Sequence, residues 1–198
     1  MPINIPGNFL KQAQLHAFAK AIYEANPAHE CLNAMDLSNQ EVQRFLRSLH
    51  THEVRYLLVG GVATTYYGHV RMTMDLDLWV EDTAENKERL IAALKDADVA
   101  GAEHYRNVEM IPGRSSLSIG TIGFEVDLMG YTKAFRKEDF ADCYRRASVA
   151  QIEEIPITVI HIDDLVREKQ QLGRLKDLDD VENLQKTKAY KEKRDSSS

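Results

Sequence analysis

Asp75 and Asp77 stand two residues apart in the run Met74-Asp-Leu-Asp-Leu-Trp-Val80. Its strict alternation predicts a strand with Met74, Leu76, Leu78 and Val80 on a buried face and Asp75, Asp77 and Trp79 on the other. Two carboxylates projecting the same way from one strand can share divalent ions. Ions ~3.5–4 Å apart stabilise both the attacking and the leaving oxygens of an in-line phosphoryl displacement. Hard oxygen donors with no thiol nearby suit Mg²⁺ or Mn²⁺. A third carboxylate would complete the set, and Asp127 in Phe124-Glu-Val-Asp-Leu128 is the candidate. Glu125, on the same face of that segment, is its rival. The apolar run Tyr56-Leu-Leu-Val59 ends in Gly60-Gly61, and thirteen residues separate that pair from Asp75. A glycine pair lets the backbone turn sharply and approach a ligand, and a helix starting there offers N–H groups to phosphate oxygens.

Each feature has a plainer reading. Surface strands often carry an Asp-x-Asp pair, and a glycine pair is often only a strand-to-helix turn. A calcium loop is excluded, because Leu76, Leu78 and Trp79 interrupt any run of oxygen ligands. Lys169, Arg174 and Lys176 fit either phosphate contacts or a solvated helix face of spaced ion pairs, and Arg71 either a phosphate grip or a cover for the sheet edge. His50 and His52 lie in a polar loop without further ligand candidates, which favours simple exposure. His69 follows the short helix close to the acidic strand, as a substrate contact or a helix-end residue.

Several elements must position these groups. Ser38 with Glu41 predicts a capping box, followed by Val42, Phe45, Leu46 and Leu49 at helical spacing. Tyr56–Val59 predicts a buried strand and residues 62–67 a short helix closed by Gly68. Asp82-Thr83 caps a helix with Leu90, Ile91 and Leu94 inside. Residues 116–122 and 124–128 predict two strands around a glycine turn, and 135–147 a helix. Residues 155–160 predict an edge strand, because Pro156 cannot donate to a ladder. Asp163 caps a helix with Leu165, Val166 and Leu172, and a last helix runs from Asp177 to about Tyr190. Residues 9–24 predict an amphipathic helix in a separate N-terminal extension. The fold class is α+β: a small mixed β-sheet core with helices on one side and a C-terminal helical segment.

The chain has 198 residues, enough for one domain with a small attachment. Its formal charge is −6; the last thirteen residues hold five basic and two acidic side chains, leaving 20 basic against 29 acidic, or −9, over residues 1–185. That excess excludes a broad electrostatic grip on duplex DNA or on anionic membranes, though metal ions can turn a carboxylate cluster into a phosphate site. The composition excludes membrane-embedded, collagen-like and disordered classes. No run approaches the ~20 apolar residues of a membrane span. Cys31 and Cys143 form no disulfide framework or paired metal spacing, and no signal-peptide pattern opens the sequence. A cytoplasmic location is the expectation.

Gly-Gly, a spacer, Asp-x-Asp between apolar residues and a later lone carboxylate resemble the DNA polymerase beta-like nucleotidyltransferase superfamily. The resemblance spans about residues 38–185. It is greatest to the small bacterial proteins grouped with AbiEii-type toxins, through Gly60-Gly61, Arg71-Met-Thr73-Met-Asp75-Leu-Asp77, and a C-terminal stretch carrying Lys169, Arg174, Lys176, Asp177 and Asp180. The resemblance implies Asp75, Asp77 and Asp127 as ligands of two Mg²⁺ or Mn²⁺ ions and as catalytic groups. It implies a nucleoside triphosphate such as ATP as substrate, near Gly60, Gly61, Thr64, Arg71, Lys169 and Arg174, with Asp177 orienting one of the cations. Many superfamily members carry Ser or Thr in or just after the glycine pair; here Val62 and Ala63 follow, so Thr64 or Thr65 must substitute. The implied activity moves a nucleoside monophosphate to an acceptor hydroxyl and releases pyrophosphate. A toxin-like or phage-defence enzyme acting on RNA or protein, with an antitoxin partner, is the first expectation. The alternatives are a catalytically inactive binding protein of the same fold and a small-molecule, antibiotic-type nucleotidyltransferase. The expected organisation is an N-terminal helical extension over 1–36, the main domain over 37–185, and a basic disordered tail over 186–198.

Overall fold

The computed structural model of the protein describes residues 35–195. The helix expected over residues 9–24 lies outside the described residues, as do Cys31 and nearly all of the extension drawn at 1–36. Six strands form one mixed sheet: β1 (Tyr56–Leu58), β2 (Asp75–Val80), β3 (Ser116–Ile119), β4 (Phe124–Met129), β5 (Ser148–Ile152) and β6 (Ile155–Val159), in the order β3-β4-β2-β1-β6-β5. The α-helices are α1 (Gln40–Thr51), α2 (Gly60–Tyr66), α3 (Ala84–Asp96), α4 (Phe140–Arg145), α5 (Ile162–Leu172) and α6 (Leu175–Asp195). The class is therefore α+β.

The alternation in β2 and β4 assigns the two faces of the sheet. Leu76, Leu78, Phe124, Val126 and Leu128 are buried on one face, joined by Leu117 and Ile119 of β3. Helix α1 crosses this face, touching β6 and β3, and packs beside α3. Ser48 Oγ donates to the Ala93 carbonyl at 2.7 Å, tying α1 to α3. The opposite face carries the acidic residues at one end and Trp79 at the other. Trp79 is fully buried rather than exposed. Its ring stacks on Phe135 (centroids 5.7 Å) and meets Phe140 edge-on (5.3 Å), and its indole N–H donates to the Gly130 carbonyl. Strand β2 is thus open on its carboxylate face only along its first half, which a period-two pattern cannot indicate.

Asn39, not Ser38, caps α1. Its side-chain oxygen accepts the Glu41 N–H at 2.8 Å, while Ser38 Oγ donates to Asp36. Glu41 is thereby released from a capping box and accepts the Thr121 N–H in the β3–β4 turn. Thr83 caps α3 as expected, through the Asn86 N–H. His161, not Asp163, caps α5, its Nδ1 accepting the Asp163 N–H. The helix expected over 135–147 is shorter, a 3₁₀ turn at Lys137–Asp139 leading into α4. Residues 148–152, not expected as a strand, form the sheet edge, and β6 lies inside it between β5 and β1. Ile160 N–H donates to Leu58, so alternation points the nitrogen of Pro156 to the same side, before β1 begins at Tyr56. The proline therefore removes no donor that a neighbouring strand could use. Helix α6 continues to Asp195, so the boundary drawn at residue 185 falls within a helix.

Candidate functional site

Strand register brings the carboxylates together. β2 and β4 are parallel neighbours with Asp77 opposite Asp127 and Asp75 opposite Glu125. Asp75, Asp77 and Asp127 all line one cleft of about 750 Å³, whereas Glu125 is exposed and not part of its wall. The two β4 carboxylates share a face, and position along the strand alone puts Asp127 at the cleft and Glu125 outside it.

β1 runs antiparallel to β2, pairing Leu58 with Leu78. Val59 N–H donates to the Asp77 carbonyl at 3.0 Å, so the glycine pair turns away directly beside Asp77. Gly60 sits at φ +64°, and a Cβ there would fall 1.7 Å from Asp77 Oδ2. A Cβ on Gly61 would meet Thr73 Oγ1 at 2.6 Å. Both glycines exist to let backbone pass against the acidic strand. The Gly61 N–H lies close enough to the Asp77 carboxylate to favour its charged form.

Each carboxylate has its own support. Thr73 Oγ1 donates to Asp75 Oδ1 at 2.9 Å. Ser116 Oγ donates to Asp127 Oδ1 at 2.8 Å, and the Gly113 N–H to Oδ2 at 3.1 Å. Thr73 lies within the Arg71–Asp77 motif and was within reach of sequence reasoning. Ser116 was not, because its meeting with Asp127 depends on the antiparallel β3–β4 register. Asp77 is pushed up to about 7, first by burial, then by the charge of Asp75 and, more weakly, Asp127; Lys169 and the Gly61 N–H oppose this. Three hard oxygen donors, one of them buried beside the other two carboxylates, fit a divalent cation of the Mg²⁺ or Mn²⁺ type.

The basic wall comes from α5, α6 and the segment before β2. Lys169 is buried, with Nζ 2.7 Å from Asp180 and 3.5 Å from Asp177. Arg71 grips Asp180 with two nitrogens, at 2.8 and 3.1 Å. Arg174 grips Asp177 likewise, at 2.6 and 3.2 Å. Gly173, at φ +64°, ends α5 and lets the chain turn into α6, which brings Lys169 against Asp177 and Asp180. Asp180, whose role sequence reasoning left unassigned, is fully buried and organises both Arg71 and Lys169. Arg71, Lys169 and Arg174 all line the cleft with Gly60 and Gly61. Thr64 does not; it is buried beneath, its hydroxyl donating to the Gly60 carbonyl at 2.9 Å.

Two further cations line the cleft, Lys133 in the loop after β4 and Lys176 in the first turn of α6. Glu168 fixes the loop: it accepts from Thr132 Oγ1 at 2.7 Å, Lys133 N–H at 3.1 Å and Ala134 N–H at 2.7 Å.

No family model matches the chain, and no curated protein matches it. Among solved structures it is similar to the lincosamide antibiotic adenylyltransferase LnuA in its lincomycin-bound form, with 17% identity and a TM-score of 0.45, over 75% of this chain and 96% of that one. It is also similar to the antibiotic-resistance factor ANT(2'')-Ia, with 11% identity and a TM-score of 0.44, over 79% of this chain and 92% of that one. Both scores are below 0.5.

Other sequence candidates fall outside the cleft. His69 Nε2 lies 3.1 Å from Asp179 and 3.5 Å from Asp180. These three could in principle surround a cation. Asp180 is already bound by Arg71 and Lys169, so a further cation there would be repelled. His52 lies 3.7 Å from Asp96, away from the site. Cys143 is buried, and burial pushes its thiol up to about 12, so it is no nucleophile. Among the described residues, no helix is long and apolar enough to cross a membrane.

Proposed function

We propose that the protein is a metal-dependent nucleotidyltransferase that moves a nucleoside monophosphate from a nucleoside triphosphate to an acceptor hydroxyl. The observation that carries this reading is the convergence of Asp75, Asp77 and Asp127, from neighbouring parallel strands, at a cleft that Arg71, Lys169 and Arg174 also line. In the reaction the acceptor oxygen bonds to the α-phosphorus, the bridging bond to the β-phosphate breaks, and pyrophosphate leaves. Two Mg²⁺ or Mn²⁺ ions on the three aspartates would supply charge neutralisation for the triphosphate and for the reacting oxygens. Asp127, held in place by Ser116 and Gly113, is the carboxylate assigned to receive the acceptor's proton. Gly60 and Gly61 keep the backbone low beside Asp77, leaving room for the triphosphate. Arg71, Lys169 and Arg174 form the cationic wall facing it.

The motif's resemblance to toxin-type proteins supports an RNA or protein acceptor and a cognate antitoxin. The cleft volume of about 750 Å³ supports a second reading, in which a small hydroxylated molecule is the acceptor, because small-molecule sites have this size. Incubation with each α-labelled triphosphate, Mg²⁺ and RNA, protein or polyol acceptors tests all readings together. The expected result is label on one acceptor class, lost in Asp75→Ala and Asp77→Ala. Equal transfer by wild type and variants, or none with any acceptor, rejects the enzyme reading and leaves a nucleotide-binding protein of this fold.

A further inference from the structure

The cations of the cleft fall into two groups. Arg71, Lys169 and Arg174 are each engaged with Asp177 or Asp180, both fully buried. Their charges are largely balanced within the protein, and Lys169 in particular is 2% exposed. Lys133 and Lys176 line the same cleft, are exposed, and have no carboxylate partner among the described residues. A polyanion gains most from charges that no internal partner already neutralises.

We propose that Lys133 and Lys176 are the residues that grip the triphosphate's outer phosphates, and that Arg71, Lys169 and Arg174 chiefly shape the wall behind them. This rests on the nucleotidyltransferase reading. The position of Lys133 is built rather than incidental. Glu168, itself buried, accepts hydrogen bonds from Thr132, Lys133 and Ala134 and so fixes the backbone that carries the lysine at the cleft rim. The same loop follows β4 directly, so it is anchored to the strand that carries Asp127. Lys176 lies two residues after Arg174, at the start of the helix that supplies Asp177 and Asp180. The two lysines thus reach the cleft from different elements, as clamping of an extended polyphosphate requires. The unpaired charge selects for the two phosphates that leave as pyrophosphate, so it distinguishes triphosphate from monophosphate.

Calorimetric titration of the full-length protein with inorganic tripolyphosphate in excess Mg²⁺ tests this without assuming a base. Wild type, Lys133→Ala, Lys176→Ala, the double variant and Lys95→Ala as a distant charge control are compared. Each cleft substitution is expected to weaken binding roughly tenfold, since hydrogen bonds to charged groups are worth about that much. Lys133→Arg and Lys176→Arg should restore most of it, and the control should match wild type. Thermal melts of the cleft variants should match wild type, because both side chains are exposed. Unchanged tripolyphosphate affinity in the double variant, or no binding by wild type, overturns the proposal. The label-transfer assay reports separately. Transfer by wild type with unaffected lysine variants sinks this proposal alone, whereas lysine-dependent polyphosphate binding without transfer sinks only the enzyme reading.

Discussion

Asp77 shows how much of this site is decided by the surroundings of single atoms. Its carboxyl rises from an ordinary 3.8 to about 7 because it is buried beside Asp75 and Asp127. A group whose pKa is higher folded than unfolded stabilises the fold fully below the unfolded value and loses that contribution as pH rises through the folded value. In metal-free protein, stability should therefore fall between about pH 4 and pH 7, by at most roughly 4 kcal/mol on this account. Asp177 shifts downward, since its bonds to Arg174 and its pairing with Lys169 outweigh burial, so its contribution has the opposite sign and is lost as pH falls. Denaturant melts at pH 5 and pH 8 in chelator should show the gap, and Asp77→Asn should remove most of it. A gap unchanged in Asp77→Asn would mean that another group titrates. Gly60 carries a second prediction. Alanine there would adopt a left-handed conformation at about 1–2 kcal/mol and drive its Cβ into Asp77. Gly60→Ala should therefore lose Mg²⁺ affinity by at least about tenfold in titrations, beyond its effect on melting. The sequence showed both residues and their spacing, but not that they touch.

The decisive element is the α5–Gly173–α6 turn. It places Lys169 between Asp177 and Asp180 and seats Arg71 on Asp180. Breaking a buried ion pair by removing one partner leaves an uncompensated charge, at a cost of about 3–5 kcal/mol. Lys169→Met and Asp180→Asn should each destabilise by that order in denaturant melts, and the double variant by clearly less than the sum. Additivity would show that the two charges are not coupled. Loss of activity in Lys169→Met is accordingly expected from structure alone, and does not by itself identify a phosphate contact. The helices of this turn were legible from hydrophobic spacing. The caps were less so: Asn39 and His161 compete with Ser38 and Asp163 for the same local role, and only the backbone path selects between them. The 148–152 strand was missed because a sheet edge is defined by its pairing with β6, not by its own pattern.

Over the whole molecule, the proposed cation site ties together segments distant in the chain: β1's glycine turn, β2 and β4. A ligand that binds only the folded form stabilises it, by about 2.7 kcal/mol at a hundredfold excess over Kd. Saturating Mg²⁺ or Mn²⁺ should raise the melting temperature by roughly 5–10 °C, and Asp75→Asn/Asp77→Asn should abolish the shift. A shift retained in that double variant would place the ion elsewhere. The net charge of −6 becomes intelligible at this scale, because part of the acidic excess is concentrated at one cleft and part is buried against cations. The sequence by itself determined the α+β class, the acidic strand and the glycine pair, because these follow from side-chain period and local backbone freedom. Only the tertiary structure decided that Asp127 rather than Glu125 lines the cleft, that Thr64 lies beneath it, and that Arg71, Lys169 and Arg174 are already paired. Those outcomes depend on strand register and helix docking, which bring together residues as distant as Arg71 and Asp180, 109 positions apart in the chain.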